Sequence, residues 1–196
     1  LEDWQKEIVG NIFGWKDKKT NLRKFRTVFI EVPRKNGKST LCAAIGLYML
    51  FADEERGSEV YSAAGDRQQA GIVFEIAKGM ILQSPELSQR GKVFRNSIVN
   101  ESKGNFYQAI SADSKTKHGF NANCIIFDEL HTQQNRDLWD VLVTSTGSRR
   151  QPLTIAITTA GYDKQSICYE IYSYAKKVQD GTIKDDSFYS VIYESE

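Results

Sequence analysis

Apolar and polar positions follow two different periods along this chain, and each period predicts one kind of element. The first apolar residues recur at helical spacing and predict an opening amphipathic helix; they are Leu1, Trp4, Ile8, Ile12 and Phe13. Short runs rich in β-branched and aromatic residues predict strands at 27–32, 59–63, 124–127, 153–158 and 188–193. Segments without breakers, several of them preceded by a capping residue, predict helices at 38–51, 66–82, 137–145 and 166–179 and a short one opening at 84.

One segment, residues 93–111, departs from this alternation of strands and helices. It contains two short alternating stretches, 97–99 and 105–110, separated by Asn100 and Gly104. We interpret it as an antiparallel excursion at the edge of a sheet. The order of the other elements predicts an α/β fold in which a mainly parallel sheet carries helices on both faces.

The composition is that of a globular domain with a sizeable core. The chain has 196 residues, 40% of them hydrophobic, with 26 Lys and Arg against 25 Asp and Glu. Because a single core runs to roughly 250 residues before a chain splits, we predict one domain over residues 1–196, and the start at Leu1 favours an origin in a longer protein. The longest uncharged apolar run, 41–52, is shorter than the roughly 20 residues of a membrane span. Acidic residues stand where a secretory signal would be basic, so neither a membrane nor export is expected.

Residue types that bind metals through sulfur or imidazole are few and scattered along the chain. They are Cys42, Cys124, Cys168, His118 and His131. No pair has zinc-site spacing, so a zinc site is not expected. The cysteines are odd in number and far apart, which favours a reduced, cytosolic protein over one with disulfides. The net charge of +1 conceals an excess of basic residues at one end, since residues 1–38 hold ten Lys and Arg against five Asp and Glu.

Residues 32–39, Val-Pro-Arg-Lys-Asn-Gly-Lys-Ser, fit the phosphate-binding loop G-x-x-x-x-G-K-S/T (Walker A) except at the first position, Val32. The segment falls between a predicted strand and a predicted helix, where backbone N–H groups and the helix dipole favour phosphates. Lys38 would reach the β- and γ-phosphates and Ser39 would hold Mg²⁺. The residues expected to contact the nucleotide are therefore Lys35, Asn36, Gly37, Lys38, Ser39 and Thr40. The alternative is an ordinary solvated turn.

A pair of acids follows the apolar strand 124–127, ninety positions after the loop lysine. A Mg-nucleotide site needs one carboxylate for the metal and a second to orient the attacking water. Asp128 suits the first role (Walker B) and Glu129 the second. The alternative is that both acids cap the next helix.

A third candidate motif, Thr158-Thr159-Ala160-Gly161, ends the strand that follows the acidic pair. Its hydroxyl groups could bond Glu129 or the region of the γ-phosphate. The alternative is a polar strand end that turns at Gly161.

With these residues assembled, the chain resembles the ATPase domain of the large terminase subunit of tailed bacteriophages, a P-loop NTPase of the ASCE type. Four stretches carry the resemblance: Trp4-Gln5, the loop with Arg34 and Gly37-Lys38-Ser39, residues 125–131 (Ile-Ile-Phe-Asp-Glu-Leu-His), and Thr158-Thr159-Ala160. Terminases commonly lack the first loop glycine and carry a basic residue inside the loop. The resemblance spans nearly the whole chain.

The resemblance implies a role for each matched position. Gln5 would contact adenine, and Arg34 would sense or stabilise the γ-phosphate. Catalysis would rest on Glu129, Arg34 and Lys38, with Mg²⁺ at Ser39 and Asp128. The coupling motif, which links hydrolysis to DNA movement, would be Thr158, Thr159 and Ala160.

The resemblance also implies partners. The family's motors package double-stranded DNA in the host cytoplasm as rings on the portal protein, together with the small terminase subunit, although the isolated domain could be a monomer. A neighbouring subunit often supplies a basic finger, for which Lys117, Arg149 and Arg150 remain open candidates. The family's nuclease domain would have no room after Glu196, so we expect ATP hydrolysis with Mg²⁺ and no DNA cleavage.

Two other functions fit part of the pattern. Asp128-Glu129-Leu130-His131 also satisfies the D-E-x-H box of helicases, which need a second motor domain. A nucleotide-regulated module that binds DNA or a partner with little hydrolysis is the other alternative. The basic stretch from Lys16 to Arg26 is either a solvated loop or a contact for DNA phosphates.

Overall fold

The fold is described from a computed structural model for residues 1–112, 119–133, 136–160 and 163–193. The helices are α1 (Asp3–Gly14), α2 (Lys38–Phe51), α3 (Arg67–Gln83), α4 (Pro85–Arg90), α5 (Asp137–Thr144) and α6 (Ile167–Gln179). The strands are β1 (Thr27–Glu31), β2 (Glu59–Ala64), β3 (Lys92–Val93), β4 (Ile98–Asn100), β5 (Asn105–Ser111), β6 (Ala122–Asp128), β7 (Leu153–Thr158) and β8 (Phe188–Ile192). Short 3-10 helices follow β6 at Leu130–Thr132 and α5 at Ser145–Ser148.

The eight strands form one sheet in the order β3-β4-β5-β2-β6-β7-β1-β8. All pairings among β5, β2, β6, β7, β1 and β8 are parallel, whereas β3 and β4 pair antiparallel at one edge. The predicted α/β fold and its antiparallel excursion are thus confirmed.

Helices cover both faces of the sheet, as the alternation of elements predicted. On one face, α1, α2 and α3 enclose a core that includes Ile8, Leu41 and Val73. On the other face, α5 and α6 pack through residues such as Trp139 and Cys168. The central strands β6 and β7 are buried along their whole length, which is why apolar residues predominate on both faces of each strand.

The sheet order brings three separate motifs to one edge. In a parallel sheet the carboxyl ends of the strands meet, and ligands bind in the crevice that they form. Here the carboxyl ends of β1, β7 and β6 are adjacent, with Glu31 beside Thr158 and Ile157 beside Asp128. The strand β7 lies between the strand of the phosphate loop and the strand of the acidic pair.

The basic stretch Lys16 to Arg26 is a closed loop rather than a uniformly solvated one. Lys16 and Arg23 form an isolated antiparallel bridge, and the Asp17 carboxylate accepts bonds from the backbone of Lys19 and Thr20 at 3.0 and 2.8 Å. Arg23 is only 6% exposed. It bonds Asp53 at 3.2 Å and the Gln151 carbonyl at 2.6 Å. Arg23 therefore anchors the loop and is withdrawn from solvent, which corrects its inclusion among the candidate DNA contacts.

None of the helices in the described ranges combines the length and the apolar character that crossing a membrane requires.

Candidate nucleotide-binding site

The loop between β1 and α2 has the backbone geometry of an anion-binding nest. Lys35 and Gly37 adopt left-handed conformations, with φ of 66° and 71°, on either side of Asn36. Alternation of hand along a loop turns successive N–H groups toward one centre. The Asn36 side chain donates to the Pro33 carbonyl at 3.0 Å, which holds the loop closed. Helix α2 begins directly after it at Lys38.

The side chains of the loop line a cavity of about 410 Å³ with groups from two other elements. The lining residues from the loop and the start of α2 are Arg34, Lys35, Asn36, Gly37, Lys38, Ser39 and Thr40. The cavity is also lined by Gln69 from α3 and by Glu129, His131 and Thr132 from the segment after β6. All the predicted loop residues therefore face one space that Glu129 shares.

Two contacts join the loop to the acidic pair. Ser39 Oγ donates to Asp128 Oδ2 at 2.9 Å, and Lys38 Nζ lies 3.3 Å from Glu129 Oε1. The Lys38 side chain is 6% exposed. The cation that would hold phosphates is thus paired with the acid that would orient water.

The Asp128 carboxylate fits a Mg²⁺ site. It is buried, and this burial raises the pKa of Asp128 above its ordinary value despite the bond from Ser39. Its second oxygen, Oδ1, accepts no hydrogen bond of good geometry from the described residues. Oxygen ligands from one or two side chains, completed by water and phosphate, are what Mg²⁺ takes in such sites. No group of three or more His, Cys, Asp or Glu side chains within the described ranges could hold a metal ion by itself.

Glu129 has an unusual backbone. Its φ is 52°, a left-handed conformation that costs a residue with a side chain roughly 1–2 kcal/mol. Strained backbone conformations persist only where the surrounding structure holds them in place, and they are concentrated at functional sites. The turn carries the chain from β6 into the helix Leu130–Thr132 and directs the Glu129 side chain toward Lys38, His131 and Thr159.

The end of β7 contributes hydroxyl groups to the same cluster. Thr159 Oγ1 lies 3.5 Å from Glu129 Oε2, and Thr158 Oγ1 lies 2.9 Å from His131 Nδ1. Both threonines are buried. Ala160 is exposed, and Gly161 lies outside the described residues. The structure thus brings Thr159 to Glu129 and Thr158 to His131 beside it.

Gln5 lies beside the phosphate loop, and Arg34 belongs to it. Gln5 is buried at the start of α1, and its Nε2 would be 3.4 Å from a Cβ placed on Gly37. Its Oε1 accepts from the Glu2 backbone at 3.0 Å. Arg34 is exposed on the rim of the cavity. Both side chains are therefore close to the phosphate loop, and their contacts with a nucleotide stay a prediction.

The three candidates for a basic finger have different surroundings. Arg149 is already engaged, because its guanidinium donates to the carbonyls of Gly57 and Asn121 at 2.6 and 2.7 Å. A role in a neighbouring site would require it to break these bonds. Arg150 is exposed before β7, on the edge of the sheet opposite the phosphate loop. Lys117 lies outside the described residues.

Sequence reasoning left three residues of this site without a role. His131 was visible in the D-E-x-H pattern, but that pattern alone does not say what the ring contacts. Gln69 and Thr132 gave no signal, because their place beside the cavity depends on how α3 packs. Gly65, just before α3, shows how close this packing is: a Cβ there would be 2.9 Å from the Thr132 carbonyl oxygen.

A mainly parallel sheet with a phosphate loop before α2, an acidic pair after β6 and a strand inserted between them defines a P-loop ATPase domain of the ASCE type. A family model described as the terminase large subunit ATPase domain matches residues 3–177. The chain therefore belongs to the terminase family.

Individual terminases are similar to this chain in sequence or in structure. The chain is 34% identical to the terminase large subunit of Enterobacteria phage HK97 over 170 residues, 81% of this chain and 31% of that protein. It is similar to the crystal structure of the HK97 large terminase with a TM-score of 0.85 and 25% identity, over 100% of this chain and 40% of that one. The Thermus phage P74-26 large terminase ATPase domain has the same fold, with a TM-score of 0.67 and 16% identity over 95% of this chain and 84% of that one.

The chain spans less than half the length of the HK97 relative that it matches, either as a sequence or as a structure.

Proposed function

We propose that this chain binds Mg-ATP, hydrolyses it and uses the energy to move double-stranded viral DNA into a prohead. Family membership establishes an ATPase domain, and the observation that carries the catalytic proposal is the cluster at one edge of the sheet. There Ser39 bonds Asp128 at 2.9 Å and Lys38 pairs with Glu129 at 3.3 Å. The terminase match favours this function over the helicase that the D-E-x-H pattern also allowed.

Each residue of the candidate site has a defined role in binding the nucleotide or in hydrolysing it. Gln5 contacts the adenine, and residues 35–40 hold the phosphates through the nest. Ser39 and Asp128 would hold Mg²⁺, which when bound would neutralise negative charge on the phosphate oxygens. Arg34 and Lys38 stabilise the γ-phosphate.

Glu129 acts after Lys38 has left it. Binding of a triphosphate offers Lys38 a stronger anionic partner than a single carboxylate, so Glu129 becomes available to orient water and accept its proton. The coupling residues Thr158, Thr159 and Ala160 transmit this rearrangement of Lys38 and Glu129 from the site to the rest of the sheet.

The proposed partners follow from the family. They are double-stranded DNA, the portal protein, the small terminase subunit and further copies of this chain in a ring, all in the host cytoplasm. A neighbouring subunit would add the basic finger, so the isolated chain should turn over slowly. We expect no DNA cleavage by this chain, which incubation with plasmid and Mg²⁺ or Mn²⁺ would test.

Two substitutions test the assignment of the ATPase site. Glu129→Gln removes the group that accepts the proton but keeps the shape, so hydrolysis should fall by about 100-fold or more while Mg-ATP still binds. Lys38→Ala should lose both hydrolysis and binding, because the phosphates lose their cation. Phosphate release and titration of a fluorescent ATP analogue measure the two properties.

Lys177→Ala is a control, since it removes an exposed cation of α6 that does not line the phosphate cavity and leaves the two contacts of the cluster in place. Unchanged turnover in Glu129→Gln would remove Glu129 from the mechanism. Tight nucleotide binding without hydrolysis, even after portal or DNA is added, would instead support the nucleotide-regulated binding module.

A further inference from the structure

The imidazole of His131 lies between the proposed catalytic acid and the end of β7. Its Nδ1 is 3.2 Å from Glu129 Oε2 and 2.9 Å from Thr158 Oγ1. The side chain is 21% exposed, so protein surrounds most of the ring. One nitrogen atom therefore contacts two residues on two different strand ends.

The hydrogen-bonding capacity of the neighbours determines which tautomer fits. The Glu129 carboxylate can only accept. Thr158 Oγ1 donates its proton to the Thr159 carbonyl at 3.2 Å and accepts from Cys168 Sγ at 3.7 Å. Both neighbours thus offer Nδ1 a lone pair and no proton. Nδ1 therefore carries the hydrogen, which it donates to Thr158 Oγ1 at 2.9 Å, while Glu129 Oε2 lies 3.2 Å from the same nitrogen.

Three groups hold the Glu129 carboxylate, and one of them is expected to leave. Lys38 Nζ is 3.3 Å from Oε1, while His131 Nδ1 and Thr159 Oγ1 are 3.2 and 3.5 Å from Oε2. When a triphosphate draws Lys38 away, His131 remains as the nearest donor. Orientation to within a fraction of an ångström is what a group that activates water requires.

We propose that His131 is a positioning residue for the hydrolytic reaction: its Nδ1–H holds the Glu129 carboxylate against the end of β7 once Lys38 has moved to the phosphates. The inference rests on the proposed ATPase function. It adds a physical link between the catalytic acid and Thr158, whose carbonyl accepts from the Val32 backbone at the start of the phosphate loop at 3.1 Å.

Three substitutions at one position separate this role from simple packing. Asparagine places an N–H donor near the position of Nδ1, glutamine places one nearer Nε2, and alanine supplies none. We expect His131→Asn to keep kcat within about threefold, and His131→Gln and His131→Ala to lose about tenfold or more. The Kd for a fluorescent ATP analogue should change by less than about threefold in all three, because Nδ1 contacts Glu129 and Thr158 rather than the backbone nest of the loop.

Two kinetic outcomes would overturn the proposal. One is wild-type turnover in His131→Ala. The other is an equal loss in the asparagine and alanine variants, since that would assign the effect to packing. Melting temperatures of the three proteins identify any variant that has lost its fold.

A second measurement on the unmutated chain does not depend on turnover. With 2 histidines in the sequence, ¹⁵N spectra of the ring nitrogens are simple to assign through His131→Asn. We expect the Nδ1–H tautomer for His131 and a shifted Nδ1 signal in Thr158→Val. An Nε2–H tautomer would refute the arrangement. If the chain shows no hydrolysis under any condition, the proposed function fails, while this spectrum still decides the contact.

Discussion

At the scale of single residues, the environment decides what each charged side chain does. Arg23 is buried against Asp53 and anchors a loop, Arg149 bonds backbone carbonyls, and Arg34 stands exposed beside the phosphate cavity. An arginine whose donors are already satisfied by carbonyls cannot also serve a ligand without breaking those bonds. Of these three, only Arg34 is available to a nucleotide at this site.

Asp128 illustrates the stability cost of a buried carboxylate. Burial raises its pKa in the folded protein above the ordinary 3.8. The folded state therefore favours the protonated form, and the stability that this form contributes is fully present below pH 3.8 and is lost as pH rises through the folded pKa. At neutral pH, without Mg²⁺, the ionised group opposes folding.

We therefore predict that Asp128→Asn raises Tm at pH 7 in the absence of Mg²⁺. The gain should shrink as the pH falls toward 4, since the wild-type carboxyl is then protonated as well. Scanning calorimetry at several pH values measures the effect. Asp140→Asn is the control, because the exposed pair of Asp140 with Arg136 is worth about 0–1 kcal/mol. A Tm gain that is independent of pH would contradict the explanation.

At the scale of elements, glycines in the two longest helices have different surroundings. In α2, Gly46 lies against the ring of Tyr107, and a Cβ there would be 3.1 Å from Cε1. Tyr107 is fully buried, bonds Ser62 at 2.9 Å and packs on Phe74, so it has little room to move. In α3, a Cβ added to Gly79 would meet nothing within 4 Å. The first glycine permits α2 to lie close to the sheet.

Alanine at these two positions should therefore have opposite effects. Gly79→Ala is expected to stabilise the protein by about 0.5–1 kcal/mol, the helix propensity difference. Gly46→Ala is expected to destabilise it by about 1–3 kcal/mol, because the added methyl group overpacks the core. Urea unfolding measures both free energies. Stabilisation by Gly46→Ala would show that Tyr107 yields, and the close approach of α2 would then need another explanation.

At the scale of the whole molecule, the candidate nucleotide site and the basic loop lie at opposite ends of strand β1. The phosphate loop follows the carboxyl end of β1, whereas residues 16–26 precede its amino end. Lys16, Lys18 and Lys19 are exposed there, on a loop that Arg23 anchors. A cationic loop that is anchored at the end of β1 away from the candidate nucleotide site has the charge to hold a phosphate backbone.

We predict that replacing Lys16, Lys18 and Lys19 together by Ala weakens DNA binding and flattens its salt dependence. Each lost phosphate contact should reduce the slope of log K against log salt by about 0.9. Fluorescence anisotropy of a labelled duplex at several salt concentrations measures it. The control is Lys6, Lys92 and Lys177 changed to Ala, which removes the same charge from exposed positions on α1, β3 and α6. Equal slopes in the two triple variants would exclude a specific contact at the loop.

The sequence by itself determined the order of the elements and located the main motifs. The bounds of α2 and β7 follow from apolar runs and breakers, and the phosphate loop and the acidic pair are recognisable because each is contiguous. Local patterns of this kind are set by backbone and side-chain preferences within a few residues.

Only the tertiary structure decided which distant residues meet. It placed β7 between β1 and β6, Gln5 beside Gly37, His131 between Glu129 and Thr158, and Arg23 in the interior. Periodicity says which face of an element is buried but not which partner covers it. Strand order and helix packing supply those partners, and with them the hydrogen bonds that give His131 and Arg23 their roles.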